Sequence, residues 1–321
     1  MKKITALLLA LLMLAGVLAG CGKQNDTNKT DKLSIVTTIF PEYDWVREIL
    51  GDKADSAEIT MLLDNGVDLH SYQPTADDII RLSDCDLFVY VGGESDEWVE
   101  GALKNAANKD RKVIDLLGIL GDSVKEEETV EGMQEEEEDH EEKEYDEHVW
   151  LSLKNAKTLV GAISESLQEL DPGNKDTYAT NAAAYIEKLS ALDGEYQAAV
   201  DAATYKTLLF GDRFPFRYLV DDYGLSYYAA FVGCSAESEA SFETVSFLAR
   251  KVDEGKLPCV LTIEGKNHKI AETIVQNTAG KNQKILTMDS MQSTTAQDVA
   301  RGTTYLSLMA KNLDVLKEAL G

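Results

Sequence analysis

Short apolar runs rich in Val, Ile, Tyr and Phe alternate with segments of helical period twice along this chain, and one long helical pattern lies between the two sets. Strands separated by helices rather than tight turns restrict the fold to parallel sheets covered by helices, because parallel neighbours need a crossover. The first set predicts strands at 33–39, 56–63, 86–91 and 112–116, with helices at 42–50, 75–83 and 97–108. The second predicts strands at 207–210, 226–231, 259–263 and 284–288, with helices at 215–223, 241–254, 269–278 and 295–320. Between them Tyr178, Tyr185, Leu189, Leu192, Tyr196 and Val200 recur at spacings of seven, four, three, four and four, which is one face of a helix over 174–203. Such a helix extends about 45 Å at 1.5 Å per residue. Gly194 inside it argues against perfect straightness. The expected fold is therefore α/β: two lobes, each a mainly parallel sheet flanked by helices, joined by one long rigid helix. The N-terminal lobe spans 33–120 and is completed by 148–173; the C-terminal lobe spans 204–321.

The N-terminus bears on compartment. Lys2 and Lys3 precede an uninterrupted apolar stretch over 4–20 that ends in Leu18-Ala19-Gly20-Cys21, the pattern of a secretory signal. That ending resembles a bacterial lipobox, which implies lipidation of Cys21; an ordinary signal peptide or an uncleaved anchor is the alternative. Residues 22–32 are polar, as a flexible tether should be. The folded part is expected to begin near Leu33, anchored at the outer face of the cytoplasmic membrane.

Charge excludes some partners. The net charge is −26, and 126–147 alone holds fourteen acidic residues against Lys143. Half of the imbalance thus sits in one segment, and the surplus repels nucleic acid and anionic membrane surfaces. From 125 to 147 there is too little apolar surface to offset ordering entropy, so a mobile loop is expected. Running directly into His148, the loop reads as a gatherer of divalent cations, with Glu138, Asp139, His140 and Glu141 as transient contacts. A purely solvating acidic loop is the plainer alternative.

Beyond Cys21 there are three cysteines, Cys85, Cys234 and Cys259. They allow at most one internal disulfide, and their spacing matches no thiolate zinc motif. Cys85 and Cys259 stand at strand starts, where a small buried residue is expected. A Cys234–Cys259 link stays open at this point.

Of only four histidines, two sit where a metal site needs them. His70 lies in Gly66-Val67-Asp68-Leu69-His70-Ser71-Tyr72-Gln73-Pro74, and His148 closes the acidic tract in Glu147-His148-Val149-Trp150-Leu151. A neutral imidazole nitrogen suits zinc, although a lone loop histidine is more often a surface residue. His268, near a helix start, reads as a surface residue. Tyr72, Trp150 and Phe214 read as wall and core.

These two motifs, together with Asp84-Cys85-Asp86-Leu87-Phe88-Val89-Tyr90, the helix Tyr178–Tyr185 and the stretch from Thr262-Ile263-Glu264 to Glu272-Thr273-Ile274, resemble the zinc- and manganese-binding lipoproteins that deliver metal to ATP-driven importers. The resemblance covers nearly the whole mature chain. It implies a metal held in the cleft between two lobes, and a monomer that docks on the permease of an ABC transporter. It maps two histidine ligands onto His70 and His148 and a late carboxylate onto Asp289. One position departs: where relatives carry a histidine or glutamate before an Asp-x-Phe stretch, this chain has Phe210-Gly211-Asp212-Arg213-Phe214. Asp212 and Glu264 are the candidate replacements, with Arg213 a competing partner for Asp212 and Glu264 expected at a strand's carboxyl end. The implied cargo is Zn2+, with Mn2+ as the second choice because added oxygen ligands suit it. Binding is expected to weaken as pH falls through the histidine range. Two other classes fit less well. A zinc hydrolase would need an open coordination position and a general base, and no His-Glu-x-x-His motif is present; an adhesin or metal buffer without a transporter leaves no short motif to test.

Overall fold

Two four-stranded sheets, both wholly parallel, carry the architecture. The structure is a computed structural model that describes residues 32–134, 144–235, 239–265 and 267–321. Cys21 and the loop residues Glu138, Asp139, His140 and Glu141 lie outside the described residues. Leu33–Gly321 forms one compact unit.

The first sheet is ordered β2-β1-β3-β4, from strands β1 (Ser34–Thr37), β2 (Glu58–Met61), β3 (Leu87–Tyr90) and β4 (Lys112–Asp115). Ile35 pairs with both Ile59 and Leu87, and Val89 with Ile114. Helices α1 (Phe40–Leu50), α2 (Ala76–Asp84) and α3 (Trp98–Lys104) provide the crossovers, and the short α4 (Leu116–Leu120) follows β4. Val36, Phe88 and Val89 are buried on both faces, as near-continuous apolar strands of a covered parallel sheet must be.

Two helices run between the sheets: α5 (Leu153–Leu170) and the 28-residue α6 (Lys175–Ala202). At 1.5 Å per residue α6 is about 42 Å long. Its whole predicted stripe, Tyr178, Tyr185, Leu189, Leu192, Tyr196 and Val200, is buried.

The second sheet repeats the order as β6-β5-β7-β8. Its strands are β5 (Thr207–Phe214), β6 (Ser226–Val232), β7 (Cys259–Ile263) and β8 (Lys284–Met288). Its helices are α7 (Arg217–Tyr223), α8 (Phe242–Gly255), α9 (Lys269–Asn277), α10 (Ala296–Ala300) and α11 (Tyr305–Leu320). Helix α6 ties the two ends together: Asn181 donates to the Ile49 carbonyl (3.0 Å) in α1, and Tyr196 donates its hydroxyl to the Met309 carbonyl (2.6 Å) in α11.

Three expectations are corrected. Strand β5 runs four residues beyond Phe210, through a register shift between Phe210 and Arg213; pairing with β6 overrides the poor strand propensity of Gly211 and Asp212. The predicted helix 295–320 is two helices, because Gly302 adopts φ +92 between them and Thr304 caps the second through the Ser307 N–H. The flanks of the acidic segment are not loose. Glu126 bridges to Tyr145, Asp146 donates to the Lys125 carbonyl (2.9 Å), and Gln134 donates to the Ala230 carbonyl (3.0 Å). Met133 is buried there, so its few apolar residues suffice once a second lobe supplies the other wall.

Position along α6 should separate packing from propensity. Leu189, fully buried, when changed to alanine is expected to lower unfolding free energy by about 2–5 kcal/mol. A Cβ added at Gly194 would meet nothing within 4 Å, so Gly194→Ala should raise it by about 0.5–1 kcal/mol. Denaturant melts of the two variants check both signs.

Candidate metal centre

His70 is presented by a single 3-10 turn, Leu69–Ser71, whose cap is Asp68. The Asp68 carboxylate accepts the His70 N–H (3.1 Å) and also pairs with the Arg213 guanidinium of β5, from the other lobe. One aspartate thus fixes the backbone of the turn and ties it to the opposite sheet. The His70 ring is steered from its far side: Nδ1 lies 2.8 Å from Ser95 Oγ and 3.5 Å from Glu147 Oε2. Glu147 in turn accepts the Ser95 N–H (2.9 Å). This approach needs Gly93, which sits at φ +80, and a Cβ there would lie 2.4 Å from Glu147 Oε1.

His148 is buried completely and begins the turn Val149–Leu151. Asp146 accepts both its backbone N–H (2.8 Å) and its Nδ1 (3.0 Å). The turn is wedged between the lobes: Trp150 donates its indole N–H to the Ser290 carbonyl (2.9 Å), and Tyr305 donates its hydroxyl to the Trp150 carbonyl (2.6 Å).

These supports bring His70 Nε2 within 3.2 Å of His148 Nε2. Both Nδ1 atoms face oxygen acceptors, which favours the tautomers that leave both Nε2 lone pairs bare and aimed at one region. Tetrahedral zinc with bonds of 2.0–2.1 Å separates two nitrogen ligands by roughly 3.3 Å. The spacing observed is the one such an ion requires.

A third ligand type shares the site. His70, His148 and Cys234 offer donor atoms that all lie within 4.8 Å of one another. Cys234 follows β6 directly and donates its backbone N–H to Glu127 Oε1 (3.0 Å). Sequence reasoning passed over it, since no motif surrounds it. Its one signal was position, just past the carboxyl end of a parallel strand, where α/β sheets place ligands. The described cysteines are all free, so Cys234 and Cys259 are not joined. Cys85 and Cys259 are buried at strand starts as expected.

The carboxylates of the second lobe stand outside this group. Glu264 accepts the Ser290 N–H (2.6 Å) and hydroxyl (2.7 Å). Asp289 accepts the Met291 N–H (2.8 Å), and burial, then the charge of Glu264, pushes it up to about 7. Asp212 accepts the N–H groups of Ile263 (3.3 Å) and Arg213 (3.0 Å). At Gly211 a Cβ would lie 2.6 Å from Ala271 Cα, so α9 closes that direction to any side chain. Arg213, not Asp212, reaches the His70 turn, because the register shift in β5 turns alternate residues. His268 is half-buried at the start of α9 rather than freely exposed. Tyr72, Trp150 and Phe214 are buried as wall and core.

A family model described as zinc-uptake complex component A, periplasmic, matches residues 35–319. The chain belongs to that family. It is 34% identical over 99% of its length to a zinc-binding lipoprotein, AdcA, of Streptococcus pneumoniae, but spans only 61% of that relative. It is 31% identical to the high-affinity zinc uptake system protein ZnuA of Bacillus subtilis, covering 95% of this chain and 94% of the relative. Among solved structures, the Zn(II)-bound ZnuA-like domain of the Streptococcus pneumoniae AdcA superposes with a TM-score of 0.70 at 32% identity, covering 90% of this chain and 99% of that one.

Burial first, and then the neighbouring His148, hold the His70 pKa well below its ordinary 6.5. Proton competition at His70 is therefore expected to set in below the ordinary histidine range. A base whose folded pKa is depressed contributes stability that is complete above its unfolded value and lost as pH falls below it. Thermal melts of the metal-free protein from about pH 8 to about pH 5 should show wild type losing stability relative to His70→Gln on the acid side. Parallel curves would remove the buried neutral imidazole from the account.

Proposed function

We propose that this chain captures Zn2+ between its two lobes through His70 and His148 and hands it to the membrane permease of an ABC importer. The observation that carries the reading is the pair of bare Nε2 atoms 3.2 Å apart, each steered by an acceptor at Nδ1. Family membership supports the transport role, since the matching model describes a component of zinc uptake, and it gives no support to the hydrolase alternative. Asp289, at the close of β8, is the carboxylate proposed to approach when the cation arrives and its proton leaves. Zinc is preferred to manganese because the site is led by imidazole nitrogen rather than by carboxylate oxygen.

The chain is proposed to act outside the cytoplasmic membrane as a monomer, held there by a lipid on Cys21. No helix among the described residues is long and apolar enough to cross a membrane. The acidic segment before His148 is proposed to raise the local cation concentration. Its described flanks support this by placing Glu127, Asp146 and Glu147 beside the histidines.

Zinc competition against a chromophoric chelator tests the site. His70→Ala and His148→Ala should each weaken binding by about 100-fold or more, at least the loss that removal of a supporting residue brings. Wild-type affinity in the double variant would remove the imidazole pair from the function.

A further inference from the structure

We infer that Cys234 is a ligand that the second lobe contributes, so that the captured ion is held by two imidazoles and one thiolate, with the approaching Asp289 as the fourth donor. The inference rests on the His70–His148 reading above and adds a residue and a cargo class to it.

The second lobe has few other donors to give. Gly211 has no side chain and no room for one, Arg213 is committed to Asp68, and Asp212 and Glu264 are bound to backbone N–H groups. Cys234 alone among the described second-lobe residues joins the two imidazoles within 4.8 Å. Its setting differs from that of the other thiols. Cys85 and Cys259 belong to the apolar core, and Cys85 donates to the Leu82 carbonyl (3.2 Å). Cys234 lies outside both apolar clusters, against imidazoles and carboxylates.

The preceding residue explains how the thiol gets there. A Cβ at Gly233 would lie 2.9 Å from the Phe214 carbonyl oxygen and 3.0 Å from His148 Cε1. Only glycine lets this backbone press against the His148 ring and deliver the next side chain to its edge. Glu127 then holds the position, accepting both the Cys234 N–H (3.0 Å) and a hydrogen bond from the thiol. Glu127 belongs to the acidic segment, so that segment positions a ligand as well as collecting cations.

Binding exchanges a proton for a metal bond. The Cys234 S–H bond breaks, its electron pair goes to Zn2+, and the proton passes to Glu127 and on to solvent, with no change of oxidation state. Two neutral imidazoles and one thiolate leave a net single positive charge for the approaching Asp289 carboxylate to balance. A thiolate selects zinc and cobalt over the hard cations manganese, magnesium and calcium. The cargo class is therefore borderline-soft divalent metal.

Cobalt(II) loading of the purified full chain under reducing conditions reads the thiolate directly. Wild type should show a thiolate-to-cobalt charge-transfer band in the near ultraviolet, retained in Cys21→Ser and lost in Cys234→Ser. Zinc should protect the Cys234 peptide of the wild-type protein from alkylation, measured by mass spectrometry, an arm that needs no substitution. Cys234→Ser should weaken zinc by about 10–100-fold, with the manganese affinity changed far less. Absence of the band together with unprotected Cys234 overturns the inference while leaving the imidazole pair standing if His70→Ala and His148→Ala still weaken zinc binding by about 100-fold or more. If those two variants bind normally, the underlying reading fails instead.

Discussion

Trp150 reaches across 140 residues of sequence to donate its indole N–H to the Ser290 carbonyl, and Tyr305 answers by donating to the Trp150 carbonyl. All of these groups are buried, so a substitution that removes one partner here would strand a polar atom at a cost of about 1–3 kcal/mol. The His148 turn is the piece clamped between them. The position of His148 in the candidate centre follows from that clamp. The clamp presents His148 to the His70 turn on one side and to the Gly233-Cys234 corner on the other, and neither lobe alone could bring three such donors together.

The clamp does not act alone. Helix α6 hydrogen-bonds to α1 through Asn181 and to α11 through Tyr196, and Arg213 joins Asp68 across the cleft. A wide hinge opening would have to work against these links. Loading is better served by small movements of short, individually tethered pieces: the Asp68-capped turn, the Gly233-Cys234 corner and the segment carrying Glu127. On the proposed reading the ion is expected to alter the lobes by local rearrangement, with the stiff helix left unbent.

The fold was legible because it rests on periodicity. All eight predicted strands form, and the stripe Tyr178 to Val200 of α6 is buried along its length. What escaped was tertiary. Gly211 and Asp212 have weak strand propensity, and only pairing with β6 draws them into β5. The apolar residues Val130 and Met133 looked too sparse to order the acidic segment, since the wall they pack against belongs to the other lobe. In the site, His70 and His148 were conspicuous by rarity and motif. Cys234 was not, because a thiol so far in sequence from either histidine becomes their neighbour only when Gly233 packs against the His148 ring.

Electrostatics give the site its direction. Glu127, Glu147 and Asp146 crowd the two imidazoles. Burial raises the pKa of both Glu127 and Glu147, which measures how poorly the site tolerates its own negative charge. Among described residues Glu147 Oε2 has no hydrogen-bond donor, and the Arg213 guanidinium that acts on His70 is already held by Asp68. The fold has thus assembled bare nitrogen lone pairs and underpaired carboxylates that a cation would satisfy. A divalent ion relieves both at once, stabilising the ionised carboxylates through charge and the lone pairs through coordination. Because the same desolvation that penalises the metal-free state strengthens attraction in the loaded one, affinity and preorganisation have a common source in the burial that the Trp150 clamp imposes.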